Sequence, residues 1–221
     1  MAEFTLVIGN RNYSSWSLRG WLAAKLAGIE FDEVVIPLDE PNTRSEIARY
    51  SPSGWVPVLI HRGLTVWDSL AIAEYLAELR PDMKLWPEAP AARAVARAIS
   101  AEMHSGFAAL RNALPMNIRA SYPGRTIAPD VQADIQRIVA IWLDCRKRFA
   151  GSAPRDDGFL FGTVSIADAM FAPVVTRFHT YSVLLDEAAK RYGDMVMALP
   201  AMRAWVEAAR HETWMIPKLE Q

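Results

Sequence analysis

The spacing of hydrophobic positions changes character about a third of the way along the chain. Phe4 to Gly9 is an apolar, partly β-branched run closed by Gly9-Asn10-Arg11-Asn12, which predicts a buried strand ending in a turn. After Ser14-Ser15, the residues Leu18, Trp21, Leu22 and Leu26 recur at helical spacing, and Gly28 supplies a helix stop. Phe31 to Pro37 reads as a second strand, separated from the first by that helix as a parallel βαβ unit requires. Thr43 to Tyr50 reads as a short polar helix. Val56 to Ile60 and Leu64 to Val66 flank His61-Arg62-Gly63 and predict an antiparallel hairpin around a three-residue turn. Leu70, Ala73, Leu76 and Leu79 then share one helical face behind a cap at or just before Asp68.

The first part therefore reads βαβαββα, with a mixed sheet. Pro81, Pro87 and Pro90 follow, and strand signals nearly vanish beyond them. We expect domains at 1–82 and 90–221, the second all-α, with helices near Ala91–Leu114, Asp130–Phe149, Ser165–Thr180, Leu184–Tyr192 and Pro200–Arg210. Ser165-Ile166-Ala167-Asp168 is a capping pattern and is read as a folding element.

Composition narrows the function. The 24 basic and 25 acidic side chains give net charge −1, so the basic footprint of a nucleic-acid binder is missing. Charged residues interrupt every apolar run before it reaches membrane-spanning length. Met1 to Leu6 lacks the basic and long apolar stretches of a secretion signal, and the lone Cys145 cannot form an internal disulfide, so a cytoplasmic protein is expected. His61, His104, His179 and His211 are scattered without metal-ligand spacing, and no metal is expected. No G-x-S-x-G, H-E-x-x-H, G-x-x-x-x-G-K-[ST], G-x-G-x-x-G or C-x-x-C occurs.

Three segments carry chemistry, because sites in open sheets gather at the C-terminal ends of parallel strands. Tyr13-Ser14-Ser15-Trp16 places two hydroxyls at the positive end of a helix; Ser14 or Ser15 could equally be a plain cap. In Ser53-Gly54-Trp55-Val56-Pro57-Val58 the proline introduces a strand. A cis bond there would turn the Val56 N–H and C=O outward toward an extended peptide, whereas a trans edge-strand proline would not. Trp67-Asp68-Ser69 begins another helix, where Asp68 suits an ammonium and Ser69 with free amides suits a carboxylate, the two groups of an amino-acid end.

These segments, together with Asp68-Ser69-Leu70-Ala71-Ile72 and Phe161-Gly162-Thr163-Val164-Ser165-Ile166-Ala167-Asp168, resemble those of cytosolic glutathione transferases in order and spacing along essentially the whole chain. The resemblance implies an α/β N-terminal thioredoxin-like domain followed by an all-α C-terminal domain, glutathione as co-substrate, and a homodimer. It places a cis-proline at Val56-Pro57, with Val56 pairing with the cysteinyl backbone of glutathione, and the γ-glutamyl end at Asp68-Ser69. The serine-type motif, closest to the zeta class, implies Ser14 as the thiol activator, Ser15 beside it and Arg19 five residues on. Trp16 stands where the zeta class has cysteine and would shape the electrophile pocket.

The second substrate, a hydrophobic electrophile, is expected against the helical half, where Met103, His104, Phe107 and Arg111 recur at near-helical spacing; core packing is the competing reading for Met103 and Phe107. The leading expectation is a glutathione transferase, with detoxification as a role. A glutathione-dependent isomerase, peroxidase or dehalogenase, or a non-catalytic interaction protein on the same fold, are the alternatives.

Overall fold

The computed structural model describes residues 3–220. Strand β1 (Phe4–Ile8) pairs in parallel with β2 (Phe31–Val35), Phe4 opposite Phe31, and α1 (Ser15–Leu26) makes the crossover. Strand β3 (Val58–His61) runs antiparallel to β1 and to β4 (Leu64–Trp67), which gives the order β2-β1-β3-β4. Helix α2 (Thr43–Ala48) precedes the hairpin and α3 (Ser69–Leu79) follows it. The βαβαββα reading therefore describes the first domain. The hairpin turn is tighter than expected: His61 belongs to β3, and Arg62 and Gly63 turn the chain alone, both at positive φ (48° and 83°), as a two-residue hairpin loop requires.

Period-two alternation decides which face each strand residue joins. Leu6, Ile8 and Leu59 pack with Leu18, Leu22, Ile72 and Leu76 in the main core, while Val7 and Val58 form a smaller cluster with Ile36 and Ile47 on the other side of the sheet.

The second domain contains α4 (Pro90–Ser105), α5 (Ala108–Ala113), α6 (Pro129–Phe149), α7 (Ile166–Thr180), α8 (Glu187–Ala198) and α9 (Pro200–His211). The helix expected over Ala91–Leu114 is two. Gly106 leaves helical geometry at φ −101°, ψ −167°, and Phe107 follows in the left-handed region at φ 61°. The helix expected at Leu184 starts later, where the Asp186 carboxylate accepts the Ala189 amide, and runs through Gly193 to Ala198. Helix α7 is apolar on nearly all sides and is buried accordingly, packing on α1, α4 and α8. Because α7 touches α1, the main core runs continuously from the sheet domain into the helical domain. Among the described residues no helix is long and apolar enough to cross a membrane.

Candidate active site

Two adjoining cavities open on the first domain, the second of them reaching the end of α4 in the helical domain. One, of ≈ 550 Å³, lies between Tyr13-Ser14-Ser15-Trp16, the loop bearing Leu38, and Arg44 of α2. The other, of ≈ 600 Å³, is bounded by Trp67-Asp68-Ser69, Pro57 and His104. Trp16, Ser53, Trp55 and Val56 line both, so the two form one cleft. A larger cavity of ≈ 800 Å³ lies within the helical domain beside Trp142, Phe178 and Met197 and includes none of the candidate site residues.

At the cleft's centre Ser14 caps α1. Its Oγ accepts the Ser17 amide at 3.3 Å and donates to Ser17 Oγ at 2.8 Å, and Ser17 Oγ also takes the Gly9 amide at 2.9 Å. The capping alternative is thus realised for Ser14, yet Ser14 still borders the cavity. The Ser15 hydroxyl has no hydrogen-bond partner among the described residues. The phenol of Tyr13 is occupied: it donates to Glu220 and accepts from Arg119 Nη2 at 3.0 Å, and burial, as the leading cause, raises its pKa above the usual tyrosine value.

The Val56-Pro57 bond is cis, and neither the amide nor the carbonyl of Val56 has a partner among the described residues. At the other end, Asp68 sits at φ 73°, a region that non-glycine residues enter at a cost and that clusters at functional sites. Its Oδ1 caps α3 through the amides of Leu70 (2.8 Å) and Ala71 (3.3 Å), while its Oδ2 lies 3.2 Å from His104 Nε2 across the domain boundary. Ser69 is buried against the cavity wall with its Oγ unpartnered, as is His104 Nδ1.

Trp16 forms the partition on the helical side. Its indole meets His104 edge-on at 5.1 Å and carries the guanidinium groups of Arg19 and Arg111 at 4.4 and 4.7 Å from its centroid. Arg19 is fully buried. Its Nε donates to the Met170 carbonyl at 2.9 Å, both terminal nitrogens are unpartnered, and burial followed by repulsion from Arg111 and Arg177 lowers its pKa well below the usual arginine value. Arg111 Nη2 donates to the Met103 and His104 carbonyls and so ties α5 to the end of α4.

The cleft therefore gathers Ser14, Ser15, Trp16, Val56, Pro57, Asp68, Ser69 and His104, with Arg111 behind Trp16. Met103 and Phe107 are a correction. Both are buried in the main core and line neither cavity, because the helical spacing that singled them out marks the inward face of the domain. Sequence reasoning assigns no role to Arg44, Trp55 or Trp67, although both tryptophans lie in the segments it singles out. Arg44 sits in a helix read only as polar, and no carboxylate pairs with it among the described residues. Trp55 is 76% exposed, an unusual place for an indole.

Residues 13–79 match the glutathione S-transferase N-terminal domain and residues 93–208 the glutathione S-transferase C-terminal domain. The chain is 26% identical over 200 residues to a probable maleylacetoacetate isomerase of Caenorhabditis elegans, covering 88% of each chain. It is 38% identical over 105 residues to the maleylacetoacetate isomerase of Rattus norvegicus, 46% of this chain and 48% of that one. Among solved structures, a Burkholderia glutathione transferase homolog with bound glutathione superposes with TM-score 0.69 at 23% identity, over 94% of this chain and 97% of that one. Glutathione transferase Omega 2S from Trametes versicolor superposes with TM-score 0.66 at 22% identity over 100% of both chains. With both of its domains matched in order, the chain belongs to the glutathione S-transferase family.

Proposed function

We propose that the cleft binds glutathione across its full length and activates the thiol for attack on a hydrophobic electrophile. The observation that carries this reading is the order of polar groups along one cleft: the Asp68 carboxylate and the unpartnered Ser69 hydroxyl at one end, the unpaired Val56 backbone and the α1 serines in the middle, Arg44 at the other. That order matches an amino-acid end, a cysteinyl unit and a terminal carboxylate. Asp68 takes the γ-glutamyl ammonium, and Ser69, through its hydroxyl and its own amide, takes the carboxylate. Val56 pairs with the cysteinyl backbone, and Arg44 takes the glycyl carboxylate.

The thiol falls beside Ser14 and Ser15. Lowering a thiol pKa of about 8.5 by about 2 takes roughly 2.7 kcal/mol of preferential stabilisation of the anion. A hydrogen bond to a charged acceptor contributes about 1.5–3 kcal/mol and a helix N-terminus about 0.3–1 kcal/mol, so the two suffice. Ser14 is the activator. Hydroxyl rotors turn freely, so the Ser14–Ser17 bond reverses when an anion arrives: Ser17 donates to Ser14, and Ser14 donates to sulfur. Its oxygen is then held by the Ser17 amide and hydroxyl, leaving one direction for its proton, whereas nothing pins Ser15. The sulfur lone pair forms the new C–S bond, the leaving group departs with its electron pair, and the thiol proton goes to solvent. Trp16 and His104 bound the electrophile.

The domain boundary falls between residues 82 and 90, and the enzyme works as a cytoplasmic homodimer, which gel filtration and fractionation test. An isomerase reading draws on the names of the relatives above: the same thiolate adds to a double bond and leaves again, so product forms from maleylacetoacetate without consumption of glutathione. Ser14→Ala separates cap from activator. It should raise the bound thiol's pKa by about 2 and lower kcat/KM by about 100-fold with chlorodinitrobenzene, and Ser15→Ala should do much less. The opposite ranking would move the assignment to Ser15, and failure of the wild-type protein to bind glutathione would end the reading.

A further inference from the structure

Arg11 and Asn12 lead into Tyr13 and the serines, and all of their backbone polar groups are answered from the helical domain and the tail beyond it. The Arg11 amide donates to Glu212 Oε1 at 2.8 Å and the Asn12 amide to Glu212 Oε2 at 3.0 Å. The Arg11 carbonyl accepts Trp205 Nε1 at 3.0 Å, and the Asn12 carbonyl accepts the Ile118 amide at 3.3 Å. The Asn12 side chain works both ways as well: Nδ2 donates to Asn117 Oδ1 at 2.8 Å and Oδ1 accepts the Arg119 amide at 2.9 Å.

Glu212 is the hub of this clamp. One carboxylate, itself buried and 3.7 Å from Arg11 Nη1, spans two successive amides with its two oxygens. The next links are local. The Asn10 carbonyl accepts the Tyr13 amide at 3.3 Å and the Ser14 amide at 2.8 Å, so fixing residues 11 and 12 fixes the entry to α1. A hydroxyl that must aim one proton at a sulfur depends on that entry, and small displacements of such groups are costly.

We propose that Glu212 is a positioning residue for thiol activation, acting through the Arg11 and Asn12 amides to set the direction of the Ser14 hydroxyl. The inference rests on the reading of Ser14 as the donor to sulfur. A carboxylate suits the place because it offers an acceptor to each amide; glutamine offers one and turns an NH2 group against the other N–H.

The test uses the full-length protein with glutathione and chlorodinitrobenzene. Thiolate ultraviolet absorbance across pH gives the bound thiol's pKa, and steady-state kinetics give kcat and KM separately. Glu212→Ala should raise the bound thiol's pKa by about 1 and lower kcat about tenfold, with KM for glutathione changed less than about twofold because Asp68 and Arg44 are untouched. Glu212→Gln should fall between Ala and wild type. If Glu212→Ala does not fold, Glu212→Gln, which keeps the size of the side chain and removes one of the two acceptors, should shift the same two quantities in the same direction by less. A folded Glu212→Ala with wild-type thiol pKa and kcat, or one that raises KM alone, overturns the proposal. Absence of glutathione binding by the wild-type protein strikes the functional reading itself, so the two failures are told apart.

Discussion

Among the described residues two helices are capped by a serine, Ser14 at α1 and Ser165 at α7, and their surroundings differ in one respect. At α7 the box is closed: Ser165 Oγ donates to Asp168 Oδ2 at 3.0 Å, the Ser165 amide donates to the same oxygen at 2.8 Å, and the Leu160 amide donates to Oδ1 at 3.1 Å. At α1, the Ser14 hydroxyl is bonded only to Ser17; along the same cleft the hydroxyls of Ser15 and Ser69 and the backbone of Val56, and behind Trp16 the terminal nitrogens of Arg19, are unpartnered among the described residues. Buried polar groups are normally paired, so a cluster of unpaired ones marks where a polar ligand belongs. The same cap chemistry is structural where its valences are filled and chemical where they are open.

The contrast is broken most forcefully by removing Asp168. Asp168→Ala leaves two amides and a hydroxyl buried without an acceptor, each costing about 1–3 kcal/mol, and should destabilise the fold by about 3–5 kcal/mol in a denaturant titration. Whatever fraction remains folded should bind glutathione with unchanged affinity. Weakened binding in that fraction would show that the α7 cap reaches the cleft.

Burial pushes the Asp168 carboxyl up to about 6 from its usual 3.8. A folded-state pKa above the unfolded one means that the native state holds the proton longer. This group's contribution is therefore largest below pH ~4 and is lost as pH rises through ~6, by up to about 3 kcal/mol. Stability measured from pH 4 to 7 should fall in the wild type relative to Asp168→Asn, which does not titrate. Parallel curves would mean that the carboxyl is better solvated than its burial implies.

Much of this was legible in the chain. The alternation of Leu6, Val7 and Ile8 assigns the two faces of the sheet, and the segments of Ser14, Val56-Pro57 and Asp68-Ser69 do meet at one cleft. Helical spacing misled where it carried Ala91–Leu114 through Gly106, whose added Cβ would sit 2.8 Å from the Glu102 carbonyl oxygen, and where it offered Met103 and Phe107 as lining. Periodicity reports burial and is silent on which buried face borders a cavity. The partners of the serine loop were beyond reach for a different reason. Glu212 lies 201 residues from Arg11, and only the docking of the two domains brings them together.

A finer comparison swaps the caps themselves. Ser165→Ala should cost about 1 kcal/mol, as loss of a cap does, and leave the bound thiol's pKa unmoved. Ser14→Ala should cost a similar amount of stability and shift that pKa. The pair of variants then separates folding from chemistry at two serines of like geometry. A shift from Ser165→Ala would erase the distinction.

The smallest effect probes the far end of the cleft. Arg44 lies on the exposed side of the short helix α2, so its attraction for a glycyl carboxylate is screened by water and is worth no more than about 1 kcal/mol. Arg44→Ala should raise KM for glutathione up to about fivefold, leave kcat and the bound thiol's pKa as they are, and lose its effect as salt is added. The same variant should be silent toward γ-glutamylcysteine, which lacks the glycyl unit. An equal loss with both peptides would mean that Arg44 acts on the cleft's shape and not on the terminal carboxylate, and the assignment of the tripeptide's direction would have to be reversed or abandoned.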